Sequence, residues 1–179
     1  RLDSLYCNGP FGLYRIGVDP LDDVSPQIVS TTRLPASSDT TELLLADWTL
    51  TVDEALDPAS VAVENIALTE AGDNGVFDGT DDVAVPVTVA YDGDRLLTLT
   101  VDEAFGPLPA GRYRLSVGGL TDRMGNALDG DGDGTGGDPY VHTFTVTAPA
   151  DVTVETTGNT SIETATDLPW TSDGAIAGY

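Results

Sequence analysis

Lysine is absent from this chain, and cysteine, methionine and histidine each occur once. Cys7 has no partner, so no disulfide forms within these residues and stability must come from a core, from bound ions or from neighbours. No apolar run reaches the roughly 20 residues that carry a helix across a bilayer, which excludes membrane insertion of that kind. No stretch keeps a helical spacing of apolar residues between caps. Basic residues are also scarce: seven Arg stand against 30 Asp plus Glu, for a net charge of −23. Such a charge repels nucleic acid and anionic membrane surfaces, so neither is expected as a partner. The chain opens on Arg1, with no initiator Met and no signal-peptide pattern, and is expected to be a mature or excised segment of something longer.

What remains is ample for folding, since 40% of 179 residues are hydrophobic. Those residues recur with a period of two: Trp48 to Val52, Val83 to Tyr91, Leu97 to Val101, Tyr113 to Val117 and His142 to Val146 each set an apolar face against Thr, Ser or Arg. That alternation marks antiparallel sheet with one side on a core. Gln27 to Thr32 and Asn65 to Thr69 add two candidates, and seven short strands between Gly, Pro and Asp loops predict an all-β, two-sheet antiparallel sandwich over 27–147. Asp92-Gly93-Asp94 reads as a tight hairpin. Pro86 places its strand at an edge or at a bulge. Tyr113, after Leu108-Pro109-Ala110-Gly111-Arg112, reads as a corner tyrosine bonding back to the backbone, or simply as a core aromatic.

The ends read differently. Gly12-Leu13-Tyr14-Arg15-Ile16-Gly17-Val18 shares four of seven residues with Gly111-Arg112-Tyr113-Arg114-Leu115-Ser116-Val117, so 1–26 is expected to close a preceding β module or to form an N-terminal extension. Residues 148–160 read as a Pro, Thr and Gly-rich linker, and 161–179 as the truncated opening of a following β domain.

The order of motifs, Asp53-Glu54-Ala55-Leu56-Asp57-Pro58-Ala59-Ser60-Val61, then Gly111-Arg112-Tyr113, then Asp122-Arg123-Met124-Gly125-Asn126, then Phe144-Thr145-Val146, resembles bacterial immunoglobulin-like domains of the S-layer type. The resemblance spans about 27–147. It implies an Ig-like sandwich of about seven strands, and modules strung together as spacers or binding arms at the cell surface. Ile162-Glu163-Thr164-Ala165-Thr166-Asp167-Leu168 is similar to the start of a bacterial pre-peptidase C-terminal β domain.

Asp far outnumbers Glu, which fits either a solvated acidic surface or metal binding, and clustering separates the two. Asp129-Gly130-Asp131-Gly132-Asp133-Gly134, followed by Asp138, spaces carboxylates so that one glycine loop can wrap them around a Ca2+ ion. The spacing matches the first half of an EF-hand loop, although Tyr140 stands where the closing Glu would be and no helices flank it. In an Ig-like topology Asp53, Glu54 and Asp57 come to the same end as Asp122 and this loop, and any of them can complete the shell. A second cluster of Asp73, Asn74, Asp78, Asp81 and Asp82 is expected at the opposite end, as another calcium site.

No nucleophile elbow or zinc-ligand spacing occurs, and His142 shares a strand face with Phe144 and Val146, so no enzymatic role is expected. The expected function is a secreted or cell-surface structural module, with neighbouring modules or subunits of the same protein as partners and a homopolymer as one outcome. A glycan-binding or strand-adding module, and an accessory domain of a secreted hydrolase, are the alternatives.

Overall fold

Alternation is realised strand by strand in a computed structural model, which describes residues 22–149 together with the backbone of four short strands outside that range. Ahead of the sandwich, β1 (Leu5–Asn8) and β2 (Leu13–Ile16) form an antiparallel pair. The sandwich comprises β3 (Ile28–Thr32), β4 (Thr40–Thr41), β5 (Asp47–Val52), β6 (Ile66–Glu70), β7 (Val83–Val85), β8 (Val87–Tyr91), β9 (Leu96–Val101), β10 (Gly111–Val117) and β11 (Tyr140–Val146). After it, β12 (Val152–Val154) and β13 (Ala175–Ala177) pair in parallel. The other residues of the expected flanking modules and of the linker, the rest of the 161–179 stub among them, lie outside the described residues.

One sheet has the order β4-β11-β10-β6-β7 and the other β3-β5-β9-β8. This is an Ig-like β-sandwich, antiparallel except for the short β4–β11 pair. Its core is made by every second residue: Trp48, Leu50 and Val52 of β5 and Leu97, Leu99 and Val101 of β9 face Tyr113, Leu115 and Val117 of β10 and Phe144 and Val146 of β11, all buried. The Tyr113 and Phe144 rings stack at 5.5 Å between centroids. Threonines take the outward positions, where Thr49 lies opposite Thr98 and Thr88 opposite Thr100. The Tyr113 hydroxyl donates to the Pro109 carbonyl at 2.9 Å, so this residue is both core aromatic and corner tyrosine.

Val83 to Tyr91 is not one strand. Val83–Val85 pairs with β6 in one sheet, and Val87–Tyr91 pairs with β9 in the other. The switch falls at Pro86, which has no N–H to offer either ladder, while its carbonyl still accepts from the Asp102 amide at 3.0 Å. Both pieces sit at sheet edges, where a proline is tolerated. The opposite side closes the same way: the chain leaves β3, crosses, and runs as β4 parallel to β11.

Strand directions define two poles. The starts of β3, β6 and β11 and the ends of β5, β8 and β10 lie at one, the entry pole, where the Asp53 amide donates to the Gln27 carbonyl and Leu56 bridges to Asp122. At the other, the exit pole, lie the 71–82 and 102–110 loops and the end of β11, after which the chain leaves the sandwich.

Candidate metal centre

Between Asp129 and Asp138 the chain makes a glycine loop that could not close with larger residues. A Cβ on Gly130 would collide with the backbone of Pro139 and Tyr140, and Gly134 takes a φ of 91°. Asp129 organises the loop. Its side chain is almost wholly buried, with Oδ1 accepting from the amides of Gly132 at 2.8 Å and Asp133 at 3.2 Å, and Oδ2 accepting from the Gly134 amide at 2.9 Å and from Gln27 Nε2 at 2.6 Å. Burial works to raise its pKa, but the donors from Gly134, Gln27, Gly132 and Asp133 together hold it below the ordinary carboxylate value. The group is therefore an anion at neutral pH.

Asp138 is drawn alongside, because its Oδ2 accepts from the Asp131 amide at 2.9 Å. Asp129, Asp131 and Asp138 each bring a carboxylate oxygen within 4.8 Å of the others. Asp133 stands outside this trio, its Oδ1 taken by the Thr135 amide at 2.7 Å.

A second trio lies at the same pole: Asp22, Glu54 and Asp122, also within 4.8 Å. Asp122 is buried, and burial raises its pKa, but it is held low on balance by the side chain and backbone of Asn126 and by the amides of Met124 and Gly125. Glu54 shifts the other way. Burial pushes its pKa up, and the charges of Asp22, Asp122 and Asp53 add to this, with Arg95 opposing. The Asn126 side-chain nitrogen donates both to Asp122 Oδ2 at 2.7 Å and to the Asp22 carbonyl at 3.0 Å, fastening the entering chain to the loop. Asp57 does not join; its carboxylate caps its own turn by accepting from the Ala59 amide at 3.0 Å. Sequence reasoning missed Asp22, which lay in the segment read as a separate piece, and missed Gln27 and Asn126 as organisers.

At the exit pole the acidic loop is held by protein groups. Asp78 accepts from both terminal nitrogens of Arg114, at 2.8 and 3.2 Å, which lowers its pKa. The Arg112 and Arg114 guanidinium groups lie 5.0 and 4.7 Å from the Phe77 ring centroid. Asp81 Oδ1 accepts from the Asn74 side chain at 2.6 Å and Asp82 Oδ2 from the Asp78 amide at 2.7 Å, while Asp82 Oδ1 is shielded without a hydrogen-bond partner. Asp73 is exposed. Among the described residues no three carboxylates of this loop converge as the two entry-pole trios do.

Fold and loops together define an Ig-like β-sandwich that carries two carboxylate trios at the pole where the chain enters. No protein-family model and no curated protein matches the chain. Among solved structures it is similar to the N-terminal part of the bacterial S-layer protein SbsC, at 14% identity and a TM-score of 0.43, over 74% of this chain and 28% of that one. Domains 1-6 of the same surface-layer protein align at 15% identity and a TM-score of 0.43, over 74% of this chain and 16% of that one. The chain thus spans less than a third of these S-layer structures. PcoC, a methionine-rich copper resistance protein from Escherichia coli, aligns at 21% identity and a TM-score of 0.45, over 69% of this chain and 99% of that one. No helix among the described residues is long and apolar enough to cross a membrane.

Proposed function

We propose that this sandwich is a non-catalytic spacer module of a large extracellular or cell-surface protein, stiffened by calcium at its entry pole. The observation that carries the reading is the placement of entry and exit. The chain comes in through Asp22 to Gln27 beside six clustered carboxylates and leaves after β11 at the far pole. A module threaded end to end passes force and orientation along its length, and ions at the entry lock it to what precedes. Asp129, Asp131 and Asp138 would hold one ion and Asp22, Glu54 and Asp122 a second, all through the hard oxygens that calcium prefers. Binding of this kind stabilises the folded state by mass action.

Strand addition gets less support. Of the four edges of the sandwich's two described sheets, β4 has two residues, β7 has three and β3 carries a register shift between Ile28 and Ser30, which leaves the five-residue β8 as the one regular edge. Short and irregular edges of this sort resist pairing with a foreign strand.

Thermal unfolding of the full chain in excess calcium, in excess magnesium and in chelator tests the reading. A melting temperature that climbs with calcium and falls back with chelator is expected. Identical melting in all three would remove calcium from the proposal.

A further inference from the structure

His142, the chain's one histidine, is buried on β11, 5% exposed, with both ring nitrogens engaged. Nε2 lies 3.0 Å from the carbonyl of Pro35, and Nδ1 lies 3.0 Å from the Tyr140 hydroxyl. A carbonyl only accepts, so the proton sits on Nε2 and Nδ1 receives the tyrosine hydrogen. Pro35 belongs to the segment that crosses from β3 to β4 and then runs along the edge of β11. That segment is bound to the edge through the Ser38 amide on the Thr143 carbonyl at 2.6 Å, the Thr145 amide on the Asp39 carbonyl at 3.0 Å and the Thr147 amide on the Thr41 carbonyl at 2.9 Å.

We propose that His142 is a proton-sensitive clasp holding the crossing segment, residues 33–41, over the edge of the five-stranded sheet. The ring is set among Tyr140, stacked on it at 6.0 Å, Phe144 at 6.1 Å, Leu115 opposite on β10, and Pro35. Tyr140 on its own strand and Tyr113 on β10, which stacks on Phe144, are the titratable groups packed on this side, and both are neutral phenols near neutral pH. No charged side chain is among the causes that set the His142 pKa: burial lowers it, and the Pro35 carbonyl opposes. A second proton would turn the Tyr140 hydroxyl from donor to acceptor and, at greater cost, leave a cation in an apolar setting.

When the segment lifts, the ring meets water and its pKa returns toward 6.5, so opening takes up a proton. The open fraction therefore grows as pH falls below 6.5, by up to about tenfold per pH unit, and levels off below the depressed pKa of the closed form. What opening uncovers is β11, whose seven residues would then form an unpaired sheet edge.

Amide exchange read by NMR between pH 7.5 and 5, with rates expressed as protection factors at fixed calcium, tests the clasp. The Ser38, Thr145 and Thr147 amides should lose protection on acidification while the central Leu99 amide holds, and His142→Gln should flatten the dependence. Equal behaviour of edge and central amides, or the same acid loss in His142→Gln, would overturn it. Titration of the ring protons in the unmodified chain gives an independent reading: a midpoint well under 6.5 is expected, and one at or above 6.5 refutes the proposal even if the variant does not fold.

Discussion

Gln27 Nε2 donates to Asp129 Oδ2 at 2.6 Å, joining the first residues of the sandwich to the loop that precedes its last strand. The two lie 102 positions apart, so this bond closes most of the module into a ring at the entry pole. It also makes Asp129 the hub of that pole, with three backbone amides on the same carboxylate.

Asp129→Asn follows as the first prediction. The amide is close in size, but it replaces one acceptor oxygen with an NH2 that faces donors and removes the charge that those donors stabilise. In chelator, where any ion contribution is gone, Asp129→Asn should lower the urea midpoint clearly more than Asp131→Asn does, and should deprotect the Gly132 and Gly134 amides. Equal midpoints for the two variants would show that the carboxylate does not organise the loop.

Asp131 and Asp138 separate the ion from the fold. Asp138 also steadies the Asp131 amide, yet neither side chain is a hub, and each adds negative charge to a crowded loop. The double variant Asp131→Asn, Asp138→Asn should leave the melting temperature in chelator unchanged or slightly raised and abolish the increment that calcium gives. Calorimetric titration with calcium checks this directly. A full calcium increment in the double variant would place the ion elsewhere.

Much of this architecture was legible in the residues. Five period-two runs and two further candidates covered every strand of the sandwich except the two-residue β4, because each strand's buried face has to be apolar, and the Asp129 loop stood out because Gly and Asp alternate without interruption. The strand broken at Pro86 was harder to see. Val recurs on both sides of the proline, and nothing local says that the second half joins the other sheet; only the lost N–H hints at it. Asp22 was invisible for a related reason. It comes to Glu54 and Asp122 through tertiary closure held by Asn126 and Gln27, two neutral residues with no spacing signature. At the exit pole composition pointed to a site like that at the entry, whereas Arg112 and Arg114, in register on β10, engage Gly75 and Asp78 of that loop.

Opposed pKa shifts at the entry pole predict a specific pH profile. Asp122 and Asp129 are held low, so the stability they contribute is complete above the ordinary value of 3.8 and is lost as pH falls through their folded values. Glu54 is raised above 4.5, so its ionisation weakens the folded state at neutral pH, and acidification relieves that cost before the aspartates fail. In chelator, Glu54→Gln should therefore have a higher urea midpoint than the unmodified chain at pH 7, with the gap closing as pH drops to about 4. A gap that stays constant across the range would show that Glu54 does not feel Asp22 and Asp122.

Tyr113 supplies a test of the core and its corner together. The ring is fully buried against Phe144, and the hydroxyl reaches back to Pro109. Tyr113→Phe keeps the stacked ring and removes one hydrogen bond, which should cost about 1 kcal/mol at pH 7 by urea unfolding. Tyr113→Ala also empties the space beneath the Phe144 ring and should cost about 4 kcal/mol. Burial, with Glu70 adding to it, pushes the phenol's pKa far above the ordinary 10.0, so the folded state keeps it neutral and loses stability as pH rises past that value. The gap between Tyr113→Phe and the unmodified chain should accordingly narrow above pH 10 and then reverse, since phenylalanine has no proton to lose. A penalty for Tyr113→Phe that stays the same from pH 7 to pH 11 would mean that the hydroxyl is solvated rather than sealed at the corner.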